Sequence, residues 1–148
     1  MGLDMYLTQQ IYVGAEYDHR KVKLHIDLSI ADKTITVDCN KVNEIILNVG
    51  YWRKANHIHK WFVDHVQNGV DDCNKYWVSK DNLKELHQTC LQVMEDHSKA
   101  ADLLPTESGF FFGGTEYDDY YFEDVKTTID IIEPLLDCRD SIHYQSSW

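Results

Sequence analysis

The stretch YWRKANHIHKWFVDH, residues 51–65, sets Arg53, Asn56 and Lys60 at intervals of three and four. On a helix these three share a side, with His57, four beyond Arg53, as a further candidate for it, and Lys54 lies about 100° round from Arg53, at the border of the same face. Guanidinium, amide and ammonium groups beside aromatic rings can hold a phosphate and stack a planar group. The candidate ligand-binding residues are therefore Arg53, Lys54, Asn56, His59 and Lys60, joined from further along the chain by Tyr117 and Tyr121. The competing use of Arg53 and Lys60 is structural, as ion-pair partners for acids of a later helix.

His57 and His59 form an HxH pair, followed by Asp64 and His65. On a helix, positions i and i+2 point about 200° apart, so the pair cannot chelate one ion there. Cys39, Cys73, Cys90 and Cys138 include no CxxC spacing, so neither a zinc knuckle nor a thioredoxin-like motif is present. The reading is no metal and no cofactor. Nucleophilic catalysis lacks a GxSxG elbow and a reactive cysteine context. Glu107, Glu116 and Asp118 remain as carboxylates able to move a proton.

The second chemistry-bearing stretch is SGFFFGGTEYDDYYFED, residues 108–124. A Gly-Gly turn before a helix can cradle an anion, but Glu116, Asp118 and Asp119 already occupy the first turn and repel one. The lysine of a Walker loop is missing as well. Phe110–Phe112, Tyr117, Tyr120 and Tyr121 can instead form an aromatic wall. Glu116, Asp118, Asp119, Glu123 and Asp124 are the candidate partner-binding acids, displayed to a basic surface.

These residues need positioning elements. MYLTQQIYV and VKLHIDLSI alternate apolar and polar residues, with Val22, Leu24, Ile26, Leu28 and Ile30 on one face. VKLHIDLSIADKTITVD predicts a hairpin, and EIILNVGYW a further extended segment ended by Gly50. Trp52, Ala55, Ile58 or His59, Phe62 and Val66 recur at helical spacing and predict a helix over 51–66. KYWV predicts a short strand. Ser79 caps a second helix through about His97, with Leu83, Leu86, Cys90 and Val93 inward. A third helix follows Thr115 as cap, carries Tyr121, Val125, Ile129, Ile132 and Leu136 inward, and is ended by Pro134. IHYQSSW is either a terminal strand or a loose tail. The fold class is α+β: a single domain over 1–148, an antiparallel sheet from the N-terminal half, and three helices packed on one face.

At 148 residues and 43% hydrophobic composition the chain can bury a core. Its net charge of −11 is uneven, +1 over residues 1–60, −5 over 61–115 and −7 over 116–148. Such a chain is a poor general binder of nucleic acid, which requires cations against phosphates. No run is long enough to span a bilayer, and no signal-peptide pattern opens the chain. Gly2 follows Met1, but Tyr6 stands where an acylation motif wants Ser or Thr. The expected compartment is the cytoplasm.

Three words, MGLDMYL, GYWRKANHIHKWFVDHVQNGVDDC and LLPTESGFFFGGTEYDDYYFED, together resemble a family of small proteins encoded by tailed phages and some bacterial genomes. Tyr51, Trp52, Arg53, Lys54, Ala55, Asn56, His59, Lys60, Trp61 and Phe62 match its motif, while His57 stands where the pattern has a small residue. No fold or reaction carries over. The resemblance implies a phage-type accessory protein in a bacterial cytoplasm, of the kind that counters host defence. The leading expectation is a non-enzymatic protein that binds a host protein or a small nucleotide-like molecule, with homo-oligomerisation left open. The alternatives are an acidic nucleic-acid mimic and a small hydrolase using carboxylate and histidine acid–base chemistry.

Overall fold

The computed structural model describes residues 2–14, 17, 19 and 23–148. In chain order the strands are β1 (Asp4–Tyr12), β2 (Asp27–Ile30), β3 (Lys33–Thr36), β4 (Glu44–Arg53), β5 (Tyr76–Val78) and β6 (Ser141–Ser147). The helices are α1 (Asn56–His65), α2 (Lys80–Glu95), the single turn α3 (Ala100–Leu103) and α4 (Asp119–Ile132). The main sheet has the order β4-β1-β6-β5, every neighbouring pair antiparallel, and β2 and β3 form a separate hairpin.

Alternation decides which sheet face is covered. Leu3, Met5 and Leu7 at β1, Trp52 on β4, Val78 on β5, and Ile142, Tyr144 and Ser146 on β6 are buried. Against them pack Ile58 and Phe62 of α1, Leu83, Leu86, Cys90 and Val93 of α2, and Tyr121, Val125 and Ile132 of α4. The α+β class, with helices on one face of an antiparallel sheet, is thus the observed architecture. Half of its strands, however, come from the second half of the chain, and β6 sits between β1 and β5 in the sheet interior. The segment SIHYQSS announces itself weakly, because Ile142 and Tyr144 are its only apolar inward residues.

The helix expected over 51–66 begins at Asn56. Residues 51–53 stay in β4, with Tyr51 opposite Tyr6, Trp52 opposite Met5 and Arg53 opposite Asp4. Trp52 mimics helical spacing because an inward strand position and the α1 stripe share one core. Gly50 does not end the strand: a Cβ there would stand 2.7 Å from Ile131 Cγ2, so a side chain is excluded by the approach of α4. Ser79 caps α2 as expected, its Oγ accepting from the Asn82 N–H at 3.0 Å. At α4 the cap is Asp118, whose carboxylate accepts from the Tyr121 N–H at 3.1 Å, and Thr115 lies in the preceding loop. The helix ends at Ile132, and Pro134 falls in the following 3-10 turn.

The hairpin forms where expected, turning at Ala31 with φ of 52°, as the primed hairpin turns require at their first central residue. Leu28 and Ile30 are exposed rather than covered, and Val22 lies outside the described residues. Among the described residues no helix is long and apolar enough to cross a membrane.

Candidate functional site

The end of β4, the first turn of α1, the loop 106–118 and the start of α4 enclose a cavity of about 360 Å³. Arg53 and Lys54 enter it from the strand end, and Asn56 and His57 from α1. Thr106, Gly113, Gly114 and Glu116 come from the loop; Asp118, Tyr120, Tyr121, Glu123 and Asp124 come from α4 and its cap.

Local chemistry holds these walls together. Lys54 adopts a left-handed backbone, φ 60°, which costs a side-chain-bearing residue energy and persists only when the surroundings fix it. Here its N–H donates to Leu3 O at 2.8 Å and its carbonyl accepts from the Asn56 N–H at 2.9 Å. Gly113, at φ 88°, presses on it from the loop, and a Cβ at Gly113 would lie 3.0 Å from Lys54 Cβ. Asn56 staples the same loop: its Nδ2 donates to Phe112 O at 3.0 Å and Gly114 O at 2.7 Å, and its Oδ1 accepts from the Glu107 N–H at 2.9 Å. Tyr121 donates its hydroxyl proton to Leu104 O at 2.9 Å and lays its ring against His57, with centroids 4.1 Å apart.

Of the charges in the cavity, Arg53 alone has an ion-pair partner among the described residues, and that partner lies outside the lining. Arg53 Nε is 3.9 Å from Asp4, outside the cavity lining. Among the described residues, Lys54, Glu116, Asp118, Glu123 and Asp124 take part in no ion pair. Burial, reinforced by the neighbouring Glu123 and Asp118 carboxylates, raises Asp124 from 3.8 to about 6. Burial also drives His57 down to about 3, so its ring is neutral at physiological pH. His57 is only 3% exposed, and its Nε2 has no hydrogen-bond partner.

Several sequence-predicted residues lie elsewhere. His59 is enclosed in the core, Nδ1 against the Tyr144 hydroxyl at 2.7 Å and Nε2 against Asp71 at 3.1 Å, so it holds α1 to β6 and reaches no ligand surface. Lys60 donates to Asp64 at 2.9 Å and does not line the cavity. Tyr117 accepts from the Thr106 N–H at 3.3 Å and backs Tyr121, with rings 5.0 Å apart, without lining the cavity. The shared helical face of Arg53, Asn56 and Lys60 is therefore replaced by a strand end meeting a helix start. Arg53 pairs with Asp4 and with none of the α4 acids.

Of the acids read as a displayed surface, Glu116, Asp118, Glu123 and Asp124 line the cavity, and Asp119 does not. His57 and Tyr120 join the site although neither is among the candidate ligand-binding residues. Tyr120 belongs to the aromatic wall, and the signal for His57 is its place four beyond Arg53 on the helical face. Among the described residues no group of three His, Cys, Asp or Glu side chains gathers to hold a metal. Comparison with protein-family models, with curated proteins and with solved structures gives no match to this chain.

Proposed function

We propose that the chain is a non-enzymatic, phage-type accessory protein of the bacterial cytoplasm, and that it captures a small nucleotide-like molecule in the Arg53–Asp124 cavity, withdrawing it from host defence. The observation that supports this reading is the placing of opposite charges around aromatic rings with no ion pair between the walls: Lys54 and the Asp4-paired Arg53 on one wall, Asp118, Glu123 and Asp124 on another, Tyr120 and Tyr121 between. A ligand with an anionic group and a planar ring bearing amino groups satisfies all three. The volume of about 360 Å³ suits one small molecule. The acidic-mimic alternative draws less support, because four of its five acids face a concavity.

Calorimetry against a panel of mono-, di- and cyclic nucleotides tests the reading. Binding should fall by roughly 1.5–3 kcal/mol in Arg53→Ala and in Lys54→Ala, the range for hydrogen bonds to charged groups. Absence of binding across the panel, with a host protein co-purifying instead, would replace it. The hydrolase alternative keeps one specific support, the gathering of Asp124 with three further carboxylates, Glu116, Asp118 and Glu123, in the same cavity. Turnover of a bound nucleotide, lost in Asp124→Asn, would establish it.

A further inference from the structure

We propose that β4 pairs with β4 of a second copy about a two-fold axis, joining two four-stranded sheets edge to edge. The sheet has two outer strands, three-residue β5 and ten-residue β4, and no described strand pairs with the outer side of β4. A long open edge is a template for another strand, and proteins usually guard one with lysine or proline. The sequence EIILNVGYWR holds neither; of the other guarding devices it has charges only at its two ends and one bulge, at Val49. It does expose Ile46 at 55% and Tyr51 at 46%.

The strand is complementary to itself read backwards. With the axis between Asn48 and Val49, Glu44 of one copy faces Arg53 of the other, and Ile46 faces Tyr51. The symmetry repeats each pair twice. Opposite charges and apolar–aromatic pairs directly across two strands stabilise their pairing. A parallel arrangement would set Glu44 against Glu44 and Arg53 against Arg53. The β-bulge, where β4 carries Val49 as an extra residue opposite the Leu7–Thr8 step, falls at the axis. The ladder is therefore interrupted at the same place in both copies, and regular pairing runs outward on either side. Arg53 then lies beside both the second copy and the cavity rim, which places the two sites in contact.

The test is cross-linking in solution. In a Cys73→Ser background, which removes the exposed native thiol, Ile46→Cys combined with Tyr51→Cys should form a covalent dimer under mild oxidation. Neither single substitution should, since position 46 faces position 51 across the axis rather than itself. Positions 46 and 51 of one chain are separated by about 17 Å of extended strand, out of disulfide reach. Ile46→Lys, outside the cavity lining, should give a folded monomer by light scattering and circular dichroism while nucleotide binding persists. A monomeric unmodified chain, or cross-linking by either single variant as readily as by the pair, would overturn the proposal. Both results leave the cavity reading intact, because that rests on ligand binding alone.

Discussion

The Trp52 indole N–H donates to Thr128 Oγ1 at 2.9 Å, and both residues are buried. The Thr128 hydroxyl donates in turn to Asp124 O at 2.7 Å. One hydroxyl thus joins β4 to α4, the two elements that carry opposite walls of the cavity. Thr128→Val keeps the shape and removes the acceptor, leaving an indole N–H unpaired in the core. The expected loss is about 1–3 kcal/mol in urea unfolding. In the background of Trp52→Phe the same substitution should cost less, since no donor is then orphaned. Equal costs in both backgrounds would mean that the bond does not stabilise the fold.

His59 yields a prediction that separates structure from binding. Its two ring nitrogens meet Tyr144 and Asp71, so His59→Leu strips partners from a buried hydroxyl and a half-exposed carboxylate. Stability should fall by about 1–3 kcal/mol, while nucleotide affinity per folded molecule is unchanged. A variant of normal melting temperature that had lost binding would return His59 to the ligand surface.

The elements legible in the sequence are those whose local signals agree with their burial. Ser79 and the Leu83–Val93 stripe announce α2, and the Ala31–Asp32 turn announces its hairpin. Periodicity starts α1 too early because Trp52, Ala55 and Phe62 are periodic across a strand-to-helix junction, where inward strand and helix positions meet the same core. Periodicity cannot see that junction; the left-handed Lys54 that makes it has no side-chain signature, as glycine would. The site was half legible. In the sequence Arg53, Lys54 and the α4 acids read as two separate surfaces, and only tertiary packing through Asn56 and Gly113 turns those surfaces into walls of one cavity.

Two groups in the cavity make stability depend on pH in opposite senses. His57 titrates near 3 folded against 6.5 unfolded, so between these values the unfolded chain takes up the proton and stability falls as pH drops below about 6.5. Asp124 titrates near 6 folded against 3.8 unfolded, so the folded chain holds the proton more tightly and stability is lost as pH rises from 3.8 through 6. Asp124→Asn should therefore raise the melting temperature at pH 7 and leave it nearly unchanged at pH 3.5. His57→Phe, which keeps a ring against Tyr121 and removes the unpartnered Nε2, should flatten the acid side of the profile. Thermal scans from pH 3 to 8 on the two variants check both signs. Parallel profiles for Asp124→Asn and the unmodified chain would place its carboxyl in an ordinary aqueous setting.

Lys54 joins backbone strain to the proposed binding role, and the two can be separated by choice of substituent. At φ 60° a side chain costs about 1–2 kcal/mol relative to glycine, whose freedom there offsets its greater unfolded-state entropy. Lys54→Ala retains the strain and loses the ammonium; Lys54→Gly loses both. The glycine variant should therefore be the more stable of the two, by about 1 kcal/mol, although both remove the same charge. Nucleotide affinity should fall equally in the two, because in the proposed function the ammonium and not the backbone meets the anion. Gly113→Ala is the complementary test. Its Cβ would add strain at φ 88° and press to 3.0 Å on Lys54 Cβ, so it should lower stability and displace Lys54 without removing a charge. Weaker nucleotide binding in Gly113→Ala, with Lys54→Gly more stable than Lys54→Ala, is the expected pattern in unfolding and calorimetric measurements. Full affinity in Gly113→Ala would show that the position of Lys54 is not set by this contact.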